Sequence, residues 1–147
     1  MKACFFTGHR NASDAILPAL QNAIEKHITQ YGVTEFFVGH YGDFDRLAAK
    51  AVIAAKMQHP QITLSLLLPY HPAERPIETP PGFDNTFYPP GMEQVPRPFA
   101  IVRANRYMLE HVDFLIAYVW HTASNAQKYM EYAATRGLSI TNIADIK

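Results

Sequence analysis

Residues 3–10 read Ala3-Cys4-Phe5-Phe6-Thr7-Gly8-His9-Arg10. The first five have the nearly continuous apolar character of a strand covered on both faces, as in a parallel sheet. Gly8 ends the strand and permits close backbone approach, and Arg10 suits the bidentate hold of a phosphate. Outward from this stretch, short apolar runs alternate with helical patterns. A helix carries Leu17, Leu20, Ile24, Ile28 and Tyr31 on one stripe, with Ser13 or Asp14 as its cap. Thr34 to Val38 reads as a second strand, followed by a helix with Phe44, Leu47, Ala48, Ala51, Val52 and Ala55 in phase and Asp43 as its N-cap. Ile62 to Leu68 is a third strand. Then come a helix from about Phe99 to His111, a strand from Asp113 to Trp120, a helix from about Ser124 to Arg136 and a short strand from Ser139 to Ile143. Five strands alternating with helices predict an α/β domain on a mostly parallel sheet.

The chain has 147 residues, the size of one ordinary domain, with 48% hydrophobic and 18% charged residues, a composition that folds. Thirteen Lys plus Arg balance thirteen Asp plus Glu. With no net field to hold a nucleic-acid backbone or an anionic membrane, the expected partner is a small ligand and nucleic acid is disfavoured. Cys4, the single cysteine, reads as a buried small hydrophobe. The apolar stretch after Met1-Lys2 is too short for a signal-peptide core, and no run approaches membrane-spanning length. A cytoplasmic protein is expected, with a homodimer as its expected assembly.

Residues 69–98 hold nine of the eleven prolines and interrupt the alternation. Such a segment is expected to lack regular structure. Tyr70, Phe83, Phe87 and Tyr88 give it apolar area that a disordered linker does not need, so an ordered lid over the site is expected, with His71, Glu74 and Arg75 as its candidate functional residues.

In an open α/β sheet the ligand lies at the carboxyl ends of the strands, where helix N-termini favour anions. The candidate loops are Thr7-Gly8-His9-Arg10, Gly39-His40-Tyr41-Gly42 continuing to Asp45, the start of the proline-rich segment, and His121-Thr122 with Ser124 and Asn125. Asp43 and Asp45 are explained either by helix capping or by ligand contact, and one of Thr122, Ser124 and Asn125 must cap the following helix. His9, His40, His71 and His121 each fall just past a strand and are expected to share one face. Their spacing matches no compact metal-ligand motif, so no metal site and no cofactor is assigned. Tyr41 and Trp120 fit base stacking or simply core, and Arg103 with Arg106 share a helix side that would serve an anion only if it met the lid.

Three segments together suggest a family: Phe5-Phe6-Thr7-Gly8-His9-Arg10, then Val38-Gly39-His40-Tyr41-Gly42-Asp43-Phe44-Asp45, then Asn105-Arg106-Tyr107-Met108 before Asp113-Phe114-Leu115-Ile116-Ala117. They resemble the YpsA-like branch of the SLOG superfamily, which joins the DprA/Smf proteins to the Lonely Guy phosphoribohydrolases. The resemblance implies a Rossmann-like three-layer α/β/α sandwich with strand order 3-2-1-4-5 and a nucleotide-like ligand over the first and fourth strands. Gly8 and Arg10 match the family's Gly-x-Arg, and Gly39 and Asp45 match its second glycine-rich motif. Asp43 stands where related sequences carry a further glycine, which puts an extra charge beside the expected phosphate. Residues 121–125 lack the Gly-Gly-x-Gly-Thr stretch that delivers a catalytic Glu in enzymatic relatives, and Glu131 lies about two turns into the helix, roughly 10 Å from its start. Binding or sensing of a nucleotide-like ligand is therefore the leading expectation. The alternatives are a hydrolase or transferase using His71 or Glu74, and, by analogy with DprA, a domain binding single-stranded DNA or a protein.

Overall fold

In the computed structural model, which describes residues 2–145, the strands are β1 (Lys2–Gly8), β2 (Val33–Val38), β3 (Thr63–Leu67), β4 (Asn85–Phe87), β5 (Phe114–Tyr118) and β6 (Ser139–Asn142). The helices are α1 (Leu17–Thr29), α2 (Asp43–Lys56), α3 (Ala100–His111) and α4 (Asn125–Thr135). The six strands form one sheet in the order β4-β3-β2-β1-β5-β6, and every neighbouring pair is parallel. This is the expected Rossmann-like α/β architecture with one strand more than the five anticipated.

The continuous apolar run of β1 has a direct cause. Cys4 and Phe6 face a core shared with α1 and α2, while Ala3 and Phe5 face a second core shared with α3 and α4. Because a strand alternates its side chains, only a strand covered on both faces requires apolar residues at every position. Phe5 and Phe6 are each 1% exposed, and truncating either to alanine would cost about 3–5 kcal/mol. Cys4 is fully buried, and burial pushes its thiol far above the ordinary range, which leaves it inert.

The additional strand lies inside the proline-rich segment. Asn85, Thr86 and Phe87 contain no proline, and they pair with Ser65, Leu66 and Leu67 at the outer edge of the sheet. Phe87 stands against Phe37 with ring centroids 5.7 Å apart. Asp84 anchors the entry to β4: its Oδ2 accepts from the Leu64 amide at 2.8 Å and from Lys56 Nζ at 2.6 Å. The segment is thus ordered: β4 braces the β3 edge, and Tyr70, Tyr88, Met92 and Val95 pack against the second core. No helix among the described residues is long and apolar enough to cross a membrane.

Candidate functional site

The chain runs outward from β1 to β4 and then returns to place β5 on the other side of β1, so the winding reverses between β1 and β5. Loops from neighbouring strands diverge at such a point and leave a crevice at the carboxyl ends. A cavity of about 590 Å³ lies there. Thr7, Gly8, His9 and Arg10 line it from the end of β1, Gly39, Tyr41 and Asp45 from the β2–α2 connection, and His121, Ser124 and Asn125 from the β5–α4 connection. Those ten expected residues come together. His40, Gly42 and Thr122 do not line the cavity, although their neighbours do. His40 is exposed and stacks on Tyr41 at 4.4 Å, and Thr122 is exposed.

The two glycine-rich loops are joined by backbone chemistry. The Asp43 amide donates to the Arg10 carbonyl at 2.7 Å, and Asp43 Oδ2 accepts from the Ala12 amide at 3.3 Å. Gly42 has φ of 120°, and a Cβ there would sit 2.8 Å from Arg10 Cα, so no side chain fits. Gly42, not Asp43, is the N-cap of α2. Asp43 therefore ties the loops together instead of adding a charge to the cavity, which it does not line. Gly8 is also smaller than a ligand alone would require, since a Cβ there would lie 2.4 Å from Phe44 Cγ. Helix α2 packs its first turn directly onto the end of β1.

His9 joins the other side of the crevice. Its Nε2 accepts from the Trp120 amide at 2.9 Å, which leaves the ring proton on Nδ1 when the imidazole is neutral. The His121 ring stacks on it with centroids 3.9 Å apart and planes 8° from parallel. Burial first, and the neighbouring His121 second, hold His9 below the usual histidine range. Two of the four post-strand histidines thus meet. His71 lies outside the cavity, its Nδ1 accepting from the Ala73 amide at 2.9 Å.

Ser124 is the cap anticipated among the hydroxyl and amide residues, its Oγ accepting from the Gln127 amide at 3.1 Å. This leaves the first-turn amides of Asn125 and Ala126 without intrahelical partners at the cavity wall. Asp45, the third residue of α2, reaches back so that Oδ2 accepts from the Tyr41 amide at 3.1 Å. Burial outweighs this hydrogen bond and pushes its carboxyl up to about 6. Arg10 has no carboxylate partner among the described residues.

The three residues singled out in the proline-rich segment do not line the cavity, although Arg75 is close enough to Tyr41 to act on it electrostatically. Glu74 lies 4.0 Å from Arg97, and Arg75 stacks over the Tyr70 ring at 4.3 Å; neither lines the cavity. The segment contributes only its ends, Pro69 and Pro98. Leu67, Ile101, Val102 and Tyr129, given no ligand role in the sequence, also line the cavity. Their signal was weak because Ile101 and Val102 read as ordinary amphipathic-helix positions. Trp120 is 65% exposed at the mouth and is not core. Arg103 pairs with Glu110 at 3.3 Å, and Arg106 stacks over Tyr132 at 4.7 Å, so neither meets the proline-rich segment. Among the described residues no cluster of three His, Cys, Asp or Glu has the geometry to hold a metal ion. No protein-family model matches the chain, and no curated protein matches it.

Proposed function

We propose that the switch-point cavity binds a phosphate-bearing, nucleotide-like small ligand, and that the protein is a binding or sensing domain of the kind its resemblance to the YpsA-like SLOG branch implies. The observation that carries this reading is the convergence of an unpaired Arg10 and the free first-turn amides of α4 on one cavity. A guanidinium and a helix N-terminus both favour an anion, and together they fit a phosphate. The cavity is large enough for a nucleotide, and its apolar wall of Ile101, Val102 and Tyr129 suits a planar, weakly polar portion of the same ligand.

Binding has more support than hydrolysis. Glycosidic cleavage by water ordinarily uses two carboxyl groups, and among the described residues Asp45 is the only acid that lines the cavity. The first turn of α4 contains no acid, and Glu131 accepts from Gln127 Nε2 at 2.9 Å beside a separate shallow pocket. Trp120, the only tryptophan of the chain, stands at the cavity mouth and reports occupancy directly. Titration of its fluorescence with AMP, NAD and ADP-ribose is expected to saturate, with a matching rise in thermal stability of about 3 kcal/mol at a hundred times Kd. Arg10→Ala is expected to remove the response. A flat signal for every member of the panel would overturn the reading, and release of free base or phosphate on prolonged incubation would replace binding with hydrolysis.

A further inference from the structure

The stretch from Val119 to Ser124 brings two rings, Trp120 and His121, to the cavity on few anchors. At one end Val119 is fastened to β6, its amide donating to Asn142 Oδ1 at 3.1 Å and its carbonyl accepting from Asn142 Nδ2 at 2.9 Å. At the other end Ser124 caps α4. Between them, among the described residues, one hydrogen bond holds the chain, from the Trp120 amide to His9 Nε2 at 2.9 Å. His9 is itself fixed, because it is buried and its own amide donates to the Tyr118 carbonyl at 3.3 Å. A peptide N–H can only donate, so the imidazole nitrogen that faces it must keep its lone pair. An imidazolium carries hydrogen on both nitrogens and in this position would set N–H against N–H. The bond therefore exists only while His9 is neutral. The parallel stack on His121 at 3.9 Å adds a second reason, since two facing imidazolium rings repel.

We propose that neutral His9 is a positioning residue that latches the Trp120–His121 loop to the cavity, and that its protonation frees this loop and weakens ligand binding. The ligand half rests on the nucleotide reading above and supplies its regulation, whereas the latch needs no ligand. The titratable groups around His9 are Arg10 on its own loop, Tyr41 and Asp45 from the β2–α2 connection, Tyr118 at the end of β5, His121 beyond it and Tyr129 on α4. The residues of α3 that line the cavity, Ile101, Val102, Ala104 and Asn105, carry none. Burial first and His121 second keep the His9 ring below the usual histidine range, so the latch is closed at neutral pH and opens in acid. The direction of the effect separates a latch from simple charge. An imidazolium beside a phosphate would tighten binding in acid, whereas a freed loop loosens it, because only the closed fraction binds. Asp45 titrates at about 6, and so does the second ionisation of a phosphate, so the effect is read as a difference between two chains. His9→Gln is the second chain: its amide oxygen can replace Nε2 as acceptor and does not titrate.

The test has two arms, both on the full chain. In the first, without ligand, heteronuclear NMR follows the His9 ring and the Trp120 amide from pH 8 to pH 5. The Nδ1–H tautomer is expected at pH 8, and protonation of the ring is expected to share one midpoint with a shift of the Trp120 amide. No transition with that midpoint is expected in His9→Gln. An Nε2–H tautomer at pH 8, or a ring that protonates while the Trp120 amide stays unmoved, overturns the latch. The second arm is calorimetric titration with AMP at pH 8 and pH 5, in the parent and in His9→Gln. Whatever the affinity of the variant at pH 8, the parent is expected to lose about five-fold more affinity on acidification than the variant does, the equivalent of one released hydrogen bond. An equal loss in both chains, or a smaller loss in the parent, overturns the coupling of latch to ligand and leaves the nucleotide reading standing. Absence of AMP binding by the unaltered protein at pH 8 overturns the nucleotide reading and the coupling together, and the first arm then decides the latch by itself.

Discussion

Two regions leave the carboxyl end of the sheet carrying histidines and charged side chains, the loop His9–Ala12 and the proline-rich segment 69–98; the first lines the cavity with His9, Arg10 and Asn11, the second only with its end residues Pro69 and Pro98. The difference lies in which strand each one follows. β1 borders the switch point, so its loop opens directly on the crevice, whereas β3 is two strands away, roughly 10 Å at ordinary strand spacing. The proline-rich segment then moves further off by adding β4 to the outer edge. A polar residue after a strand is therefore a candidate for chemistry only once the strand's place in the sheet is known.

That contrast breaks first at Gly8. If the loop after β1 is held by close packing as well as by ligand needs, Gly8→Val should destabilise the protein by about 3 kcal/mol through collision with Phe44, and Phe44→Leu in the same chain should recover part of the loss. Chemical denaturation of the single and double variants measures both, and strict additivity would show that the two residues do not press on each other.

Next in size is Asp45→Asn. Because the folded carboxyl titrates near 6, above its unfolded value, proton binding stabilises the fold fully at pH below the unfolded value, and this contribution is lost as pH rises through about 6. The amide variant should be more stable than the parent by about 2 kcal/mol at pH 8 and equal to it at pH 4. Equal stability at both pH values would mean that the cavity does not desolvate the acid.

Smaller effects are expected in the brace. Lys56→Ala removes the ion pair to Asp84 and should cost about 1 kcal/mol in denaturation while leaving nucleotide affinity unchanged. Smallest of all, His71→Ala, Glu74→Ala and Arg75→Ala should each stay within about 0.5 kcal/mol of the parent and bind nucleotide equally well. A loss of affinity in any of the three would return the segment to the site and erase the contrast.

The legible parts of the molecule were those written in periodicity. The apolar run Ala3–Thr7 and the stripe Leu20, Ile24 and Ile28 announced a covered strand and an amphipathic helix, and both occur as read. β4 was hidden because three pairing residues between Pro81 and Pro89 are too few to show a period. Within the site, types of residue were visible but their partners were not. Asp43 looked like a cap or an intruding charge, yet it bonds the Ala12 amide thirty-one positions away, and no local pattern carries that information. Gly8 looked like ligand clearance, and its contact with Phe44 follows only from the way α2 lands on β1. The wall from α3 was missed because an amphipathic pattern reveals a buried face without saying whether that face ends at a core or at a cavity.

The placement of β1 between β2 and β5 also orders assembly in time. The β1–β2 and β2–β3 pairings join segments near in the chain, but the Ala3 amide meets the Asp113 carboxylate across 110 positions. Closing that long loop is the slow entropic step, and on a growing chain it waits until β5 has been synthesised. The crevice is thus the youngest part of the folding molecule, and pulse-labelled amide exchange should protect β1 and β2 before β5. A ligand can recognise only the finished fold, so its stabilisation should appear as slower unfolding with the folding rate unchanged.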